Sequence, residues 1–147
     1  EILVNKQVQQ TTQEKQANTS STSQTLFNLK LLAYERIILF IERIKPDSFI
    51  PRTLSPSLPY QEYQLLLINE IRKEFEYNLS QQLYLSENAW EVTVNFKDNI
   101  ITLINSAATS CPPQATASDL ARKILEHYIS SDLKGDQILK IVKAEIQ

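Results

Sequence analysis

Residues 26–45, LFNLKLLAYERIILFIERIK, decide the fold. Thirteen of these twenty residues are apolar, and the polar ones fall mostly along one line: Asn28, Glu35 and Glu42 recur every seven residues, with Arg36 and Arg43 beside them. At about 100° per residue this is a narrow polar stripe on a helix that is apolar on most other sides. Such a helix needs neighbours on several faces, so it is expected to be the central helix of a bundle. It is not a membrane span, because Lys30, Glu35, Arg36, Glu42 and Arg43 are too many charges for hydrocarbon.

The composition points the same way. In 147 residues there is one Gly against six Pro. Tight hairpins and phosphate-binding loops draw on Gly for positive φ and close approach, so this ratio argues for long helices joined by Pro/Ser/Thr connectors. An apolar fraction of 42% suffices for a core in a single domain. The net charge of −2, with both signs interspersed, offers no electrostatic footprint for nucleic acid and no polybasic membrane patch. One cysteine cannot form an internal disulfide.

Outward from the central stretch, residues 1–25 read as a polar linker, with six Gln, five Thr and three Ser. A segment so poor in apolar residues does not offset its ordering entropy by itself. Thr25 is the expected N-cap of the central helix, and Pro46 closes it. Four prolines in residues 46–59 predict an extended connector pinned by Phe49, Ile50 and Leu54. A second helix is expected from Ser57 or Leu58 to Leu85, with the apolar stripe Tyr63, Leu67, Ile68, Ile71, Phe75, Leu79 and Leu83.

Residues 90–104 carry two readings. WEVTVNF alternates like a strand and IITLI could return as its hairpin partner. The helical reading takes Ser86 as N-cap with Leu85 and Trp90 as a hydrophobic staple, and the intervening KDN lacks the Gly that favours a tight hairpin turn. Helix is favoured, with Trp90, Val94, Ile101, Ile104 and Ala108 on one face and Phe96, Ile100, Leu103 and Ala107 alongside. Farther on, Thr116 to Asp119 has capping-box spacing. It opens a helix whose face is Leu120, Ile124, Leu125, Tyr128 and Ile129. Gly135 suits a left-handed cap or turn, and Asp136 caps a last helix with the face Ile138, Leu139, Val142 and Ile146.

The expected fold is therefore all-α: a four- to five-helix antiparallel bundle over residues 26–147, built around the central apolar helix, with a long hairpin of helices two and three.

AYERIILFIERI, EIRKEFEYNLSQQLYLSENAW, TLINSAA and ILKIVKAEI, in that order, resemble an uncharacterised family of short Bacteroidota membrane-anchored proteins. The resemblance implies a cytosolic helical domain carried behind a membrane anchor and a polar linker. On that footing the anchor lies upstream of Glu1 and the domain sits at the cytoplasmic side of the inner membrane. It also favours helix over hairpin at Trp90, and it supplies no functional residues.

The chemistry-bearing residues form no recognisable catalytic set. His127 stands alone, and the Glu-x-x-His pairs of a carboxylate dimetal site are absent. Cys111 precedes two prolines without a partner for zinc or a base for thiol chemistry. Glu70 and Glu74 lie one turn apart, but Arg72 and Lys73 between them suit a solvated helix face. Tyr60, Tyr63, Tyr77, Tyr84 and Trp90 are placed for packing rather than base stacking. No catalytic residue, metal or cofactor is expected. The candidate interaction surface is Glu35, Arg36, Glu42 and Arg43, read either as an exposed strip or as a polar seam for a partner helix. The function expected is a non-enzymatic protein-interaction or scaffold domain, self-association included, through apolar surface left open near Phe27, Leu32 and Leu39. The alternative is a bundle that holds a lipid or other apolar ligand between its helices.

Overall fold

The computed structural model describes the backbone of residues 2–146 and side chains from residue 18 onward. It is all-helical, with no strand among the described residues. The elements are α1 (Ile2–Ile44), α2 (Pro46–Thr53), α3 (Tyr60–Tyr77), a 3-10 helix (Leu79–Tyr84), α4 (Glu87–Thr109), α5 (Ala117–Ser130) and α6 (Gly135–Ala144). By its contacts the chain divides into two units, Glu1–Leu32 and Ala33–Gln147.

In the first unit, the helix does not start at Thr25. Thr25 is inside α1, and its hydroxyl donates to the Ser21 carbonyl at 2.9 Å, as Thr22 does to Asn18 at 2.8 Å. Ser and Thr tolerate a helix interior in this way, by bonding back onto the preceding turn. Residues 18–28 are exposed, Phe27 among them, and so is Leu32. The expected linker thus takes helical backbone, while the side chains of Ile2, Leu3, Val4 and Val8 lie outside the described residues. Because the described part buries so little, deletion of residues 1–25 should leave the melting temperature within about 2 °C. A larger fall in a thermal melt would show that the segment is held by the fold or by an oligomer.

In the second unit, α1 buries Ile37, Phe40, Ile41 and Ile44. Pro46 ends α1 and opens α2, where its missing N–H falls on a group that has no helical partner anyway. The expected extended connector is therefore a helix over its first half. Phe49 and Ile50 are buried as anticipated, and Leu54 is half-buried. Arg52 fastens the corner by donating to the Arg43 carbonyl at 2.9 Å and lying 5.3 Å from the Phe49 ring centre.

The segments before α3 and α5 are clipped together. Tyr60 N–H donates to the Ala115 carbonyl at 3.1 Å, and Ala117 N–H to the Leu58 carbonyl at 2.7 Å. Both helices thus start at the same end of the unit and pack together, and α4 packs against both. The second helix ends at Tyr77 rather than Leu85. Asn78 stops it by turning its amide onto the Glu74 carbonyl at 2.8 Å, an alternative to the helical ladder that Asn side chains offer. Leu79 and Leu83, expected on the core stripe, are exposed in consequence.

The stretch from Trp90 is helix. Ser86 caps α4 by accepting from Ala89 N–H at 3.0 Å. The buried seam of α4 is Ala89, Thr93, Phe96, Ile100, Leu103, Ile104, Ala107 and Ala108, so it is centred on the second of the two expected faces. Trp90, Val94 and Ile101 sit half-buried at its edge. Buried Thr93 donates to the Ala89 carbonyl at 2.7 Å, which satisfies its hydroxyl. The capping box of α5 is present, with Asp119 accepting from Thr116 N–H at 2.9 Å. Ile129, expected on the inner face of α5, is exposed.

Gly135 is neither a left-handed cap nor a turn: its φ is not positive, and it is the first residue of α6. Asp136 does not cap that helix. Its carboxylate accepts from the Lys45 ammonium at 3.1 Å instead, while Glu42 accepts from the same ammonium at 3.2 Å. Desolvation works against the Lys45 charge, but the bonds to Asp136 and Glu42 outweigh it and raise its pKa.

Candidate interaction surface

The four charged residues singled out on α1 do not act as one strip. Arg43 is committed within the chain: its Nη2 and Nε lie 2.8 and 3.1 Å from Glu74 Oε1 on α3. The hydrogen bond to Glu74 raises its pKa further, against the opposing effect of desolvation. Glu42 is committed to Lys45. Glu35 and Arg36 are exposed and form no ion pair among the described residues. The spacing of seven was legible in the sequence. The division into two engaged and two open charges depends on Glu74 and Lys45, which lie off that line.

Beside Arg36 runs an open groove of about 360 Å³ between the second half of α1 and the end of α3. Leu39 and Tyr77 line it, and they are 58% and 73% exposed, whereas Phe40, which also lines it, is buried. The Arg43–Glu74 ion pair also lines it. Tyr77 was expected to pack between helices. It stands out here because Asn78 ends α3 directly after it. The rest of the aromatic set packs as expected or lies at the core edge: Tyr63 is buried and its hydroxyl meets Thr53 Oγ1 at 2.9 Å, while Trp90 stacks on Phe75 with ring centres 5.4 Å apart.

A second polar cluster was not anticipated. Glu145, just beyond α6, reaches the N-terminus of α4. Its carboxylate accepts from Tyr34 Oη at 3.1 Å, from Asn88 Nδ2 at 2.9 Å and from the Ser86 hydroxyl, while Ser86 N–H donates to Tyr34 Oη at 3.2 Å. A carboxylate at a helix N-terminus also meets the positive end of the helix dipole. The bonds from Ser86 first, then Asn88, hold the Glu145 pKa below the usual carboxylate range. A depressed carboxylate pKa stabilises the fold above the unfolded-state value, and the effect is lost as pH falls through the folded value. Glu145→Gln should therefore cost up to about 1 kcal/mol near neutral pH, kept small by solvent exposure. The gap between variant and wild type should close in acid. Denaturant melts at several pH values read this directly, and a gap that widens in acid would contradict the assignment.

The remaining chemistry-bearing groups are set apart from one another. Among the described residues no group of three or more His, Cys, Asp or Glu side chains is placed to hold a metal. Cys111 is buried, its thiol points to the Ala107 carbonyl at 3.7 Å, and burial pushes its pKa up, away from the reactive thiolate. His127 is half-buried on α5. Among the described residues no helix is long and apolar enough to cross a membrane.

A family of unknown function, DUF7935, matches residues 1–147. The chain belongs to that family. No curated protein and no solved structure matches it. The DUF7935 match covers the groove on α1 and α3 as well as the Glu145 cluster, so both lie within the region that defines the family. The family description assigns neither of them a role.

Proposed function

We propose that this DUF7935 chain is a non-enzymatic protein-interaction domain, and that its contact face is the groove edged by Leu39, Tyr77 and Arg36. The observation that carries this is Leu39. Its neighbours Ile37, Phe40, Ile41 and Ile44 are buried, yet it is left in water between two charges that form no ion pair among the described residues. An exposed tyrosine and an arginine with no ion pair among the described residues are residue types on which protein contacts concentrate. The ion pair Arg43–Glu74 along the groove suits an amphipathic protein segment better than a wholly apolar ligand, whose binding would strip water from both charges. The reading includes the antiparallel bundle as its frame, which the mutual packing of α3, α4 and α5 supports. It also includes display on the cytosolic face of a membrane, which rests on the sequence resemblance alone and not on the DUF7935 match; fractionation of cells making the protein tests that part.

The contact face itself is tested by placing a photoreactive residue at position 39 of the chain in its native cells. Crosslinks to protein are expected from position 39 and not from the exposed position Ile129 on α5. Absence of any protein crosslink at position 39 would overturn the reading.

A further inference from the structure

We infer that the partner on this face is a second copy of the same chain, docked with its α1 parallel to the first. The inference rests on the interaction-domain reading above and adds the identity and orientation of the occupant. The argument is charge complementarity. On a helix with about 3.6 residues per turn, Leu39 falls between two lines, about 40° from the line of Glu35 and about 60° from the line of Arg36. The exposed apolar ridge is thus flanked by acid on one side and base on the other.

A symmetric pair makes each contact twice, residue i to j and j to i. If the twofold axis runs along the helices, the acidic flank of one copy faces the basic flank of the other, and Glu35 meets Arg36 of the second copy in two equivalent places. If the axis runs across the helices, base faces base and acid faces acid, which disfavours that docking. Flanking charges set partner and orientation in paired helices in this way. Glu42 and Arg43 are already held by Lys45 and Glu74, so the discrimination falls to Glu35 and Arg36. Neither has an ion-pair partner among the described residues, and both are free to turn toward a second copy.

Sedimentation equilibrium of the full chain over a wide concentration range tests this with two single variants. Wild type should associate reversibly to a dimer. Arg36→Glu and Glu35→Arg should each weaken the dimer by about tenfold or more, since each turns two attractive contacts into repulsive ones. An equimolar mixture of the two variants should regain the wild-type affinity, because each copy then offers the charge the other lacks. Both substitutions are at exposed positions, and an unchanged melting temperature separates their effect from misfolding.

A wild-type chain that stays monomeric throughout would overturn the inference. So would single variants that associate as wild type does, or a mixture no tighter than its components. The crosslink at position 39 tells this failure apart from failure of the broader reading. A monomer that still crosslinks to a different protein there rejects the second copy and keeps the interaction domain, while a monomer with no crosslink rejects both.

Discussion

Phe40→Ala should destabilise the protein by about 3–5 kcal/mol, the range for removing an aromatic side chain from a packed core. Phe40 is 2% exposed and touches Phe75, with ring centres 5.9 Å apart and planes tilted by 50°. Phe75 in turn stacks on Trp90, and the Lys97 ammonium lies 4.3 Å from the Phe75 ring centre. The row joins α1, α3 and α4, so a cavity at Phe40 cannot be filled by the motion of one side chain. Trp90 is the only tryptophan, and its fluorescence reports on the same row during a denaturant melt. The neighbouring change Leu39→Ala should fall within about 0.5 kcal/mol of wild type, because Leu39 faces water. Adjacent residues with such different costs fix the rotation of α1. Similar costs for the two would mean that the helix is turned otherwise.

The second large effect is expected at Gly135, the only glycine. A Cβ there would sit 2.4 and 2.6 Å from Lys45 Cδ and Cγ, and 3.0 Å from the Tyr128 hydroxyl oxygen. The Lys45 stem has little room to retreat. The residue is 8% exposed, and its ammonium is held by both Glu42 and Asp136. Tyr128 is fixed too, since its hydroxyl oxygen accepts from Gly135 N–H at 2.9 Å. Gly135→Ala should therefore cost about 1–3 kcal/mol as an overpacking change, even though Ala is the better helix former. The cause can be isolated with a double-mutant cycle. Combined with Lys45→Ala, which empties the contested space, Gly135→Ala should cost clearly less than it does alone. Equal costs in both backgrounds would place the strain elsewhere.

Gly135 marks the boundary between what was legible in the chain and what was not. A lone glycine between two apolar patterns reads as a conformational device, because sequence shows φ preference but not proximity. Its role here is spatial, and it depends on Lys45, ninety positions earlier in the chain. Several local signals held, though the cap readings at Thr25 and Asp136 did not. The capping box at Thr116 and Asp119, the Ser86 cap and the stop at Pro46 each involve groups within a few residues of one another. The same holds for the all-helical class, since a chain with one glycine has few ways to build tight hairpins.

The errors cluster where a nearby alternative or a distant partner competes. Proline spacing suggested an extended connector, yet Phe49 and Ile50 gain burial by taking helix, and Pro46 at its first position does not oppose it. Apolar spacing carried the second helix on to Leu85, but the Asn78 amide captured the Glu74 carbonyl and ended it.

The sequence by itself determined the helical class, the helix starts at Ser86 and Thr116, and a first helix with too much apolar surface for one exposed face. It also placed the open apolar surface at Phe27, Leu32 and Leu39, and only the tertiary structure decided which charges of that helix remain open. Ile37 and Phe40 turn inward against the rest of the unit, Arg43 and Glu42 are drawn to Glu74 and Lys45, and Leu39, Glu35 and Arg36 are left outside. The physical reason is that periodicity fixes the angles between side chains on a helix, while the rotation of the helix against its neighbours follows from the buried area and ion pairs that distant residues supply.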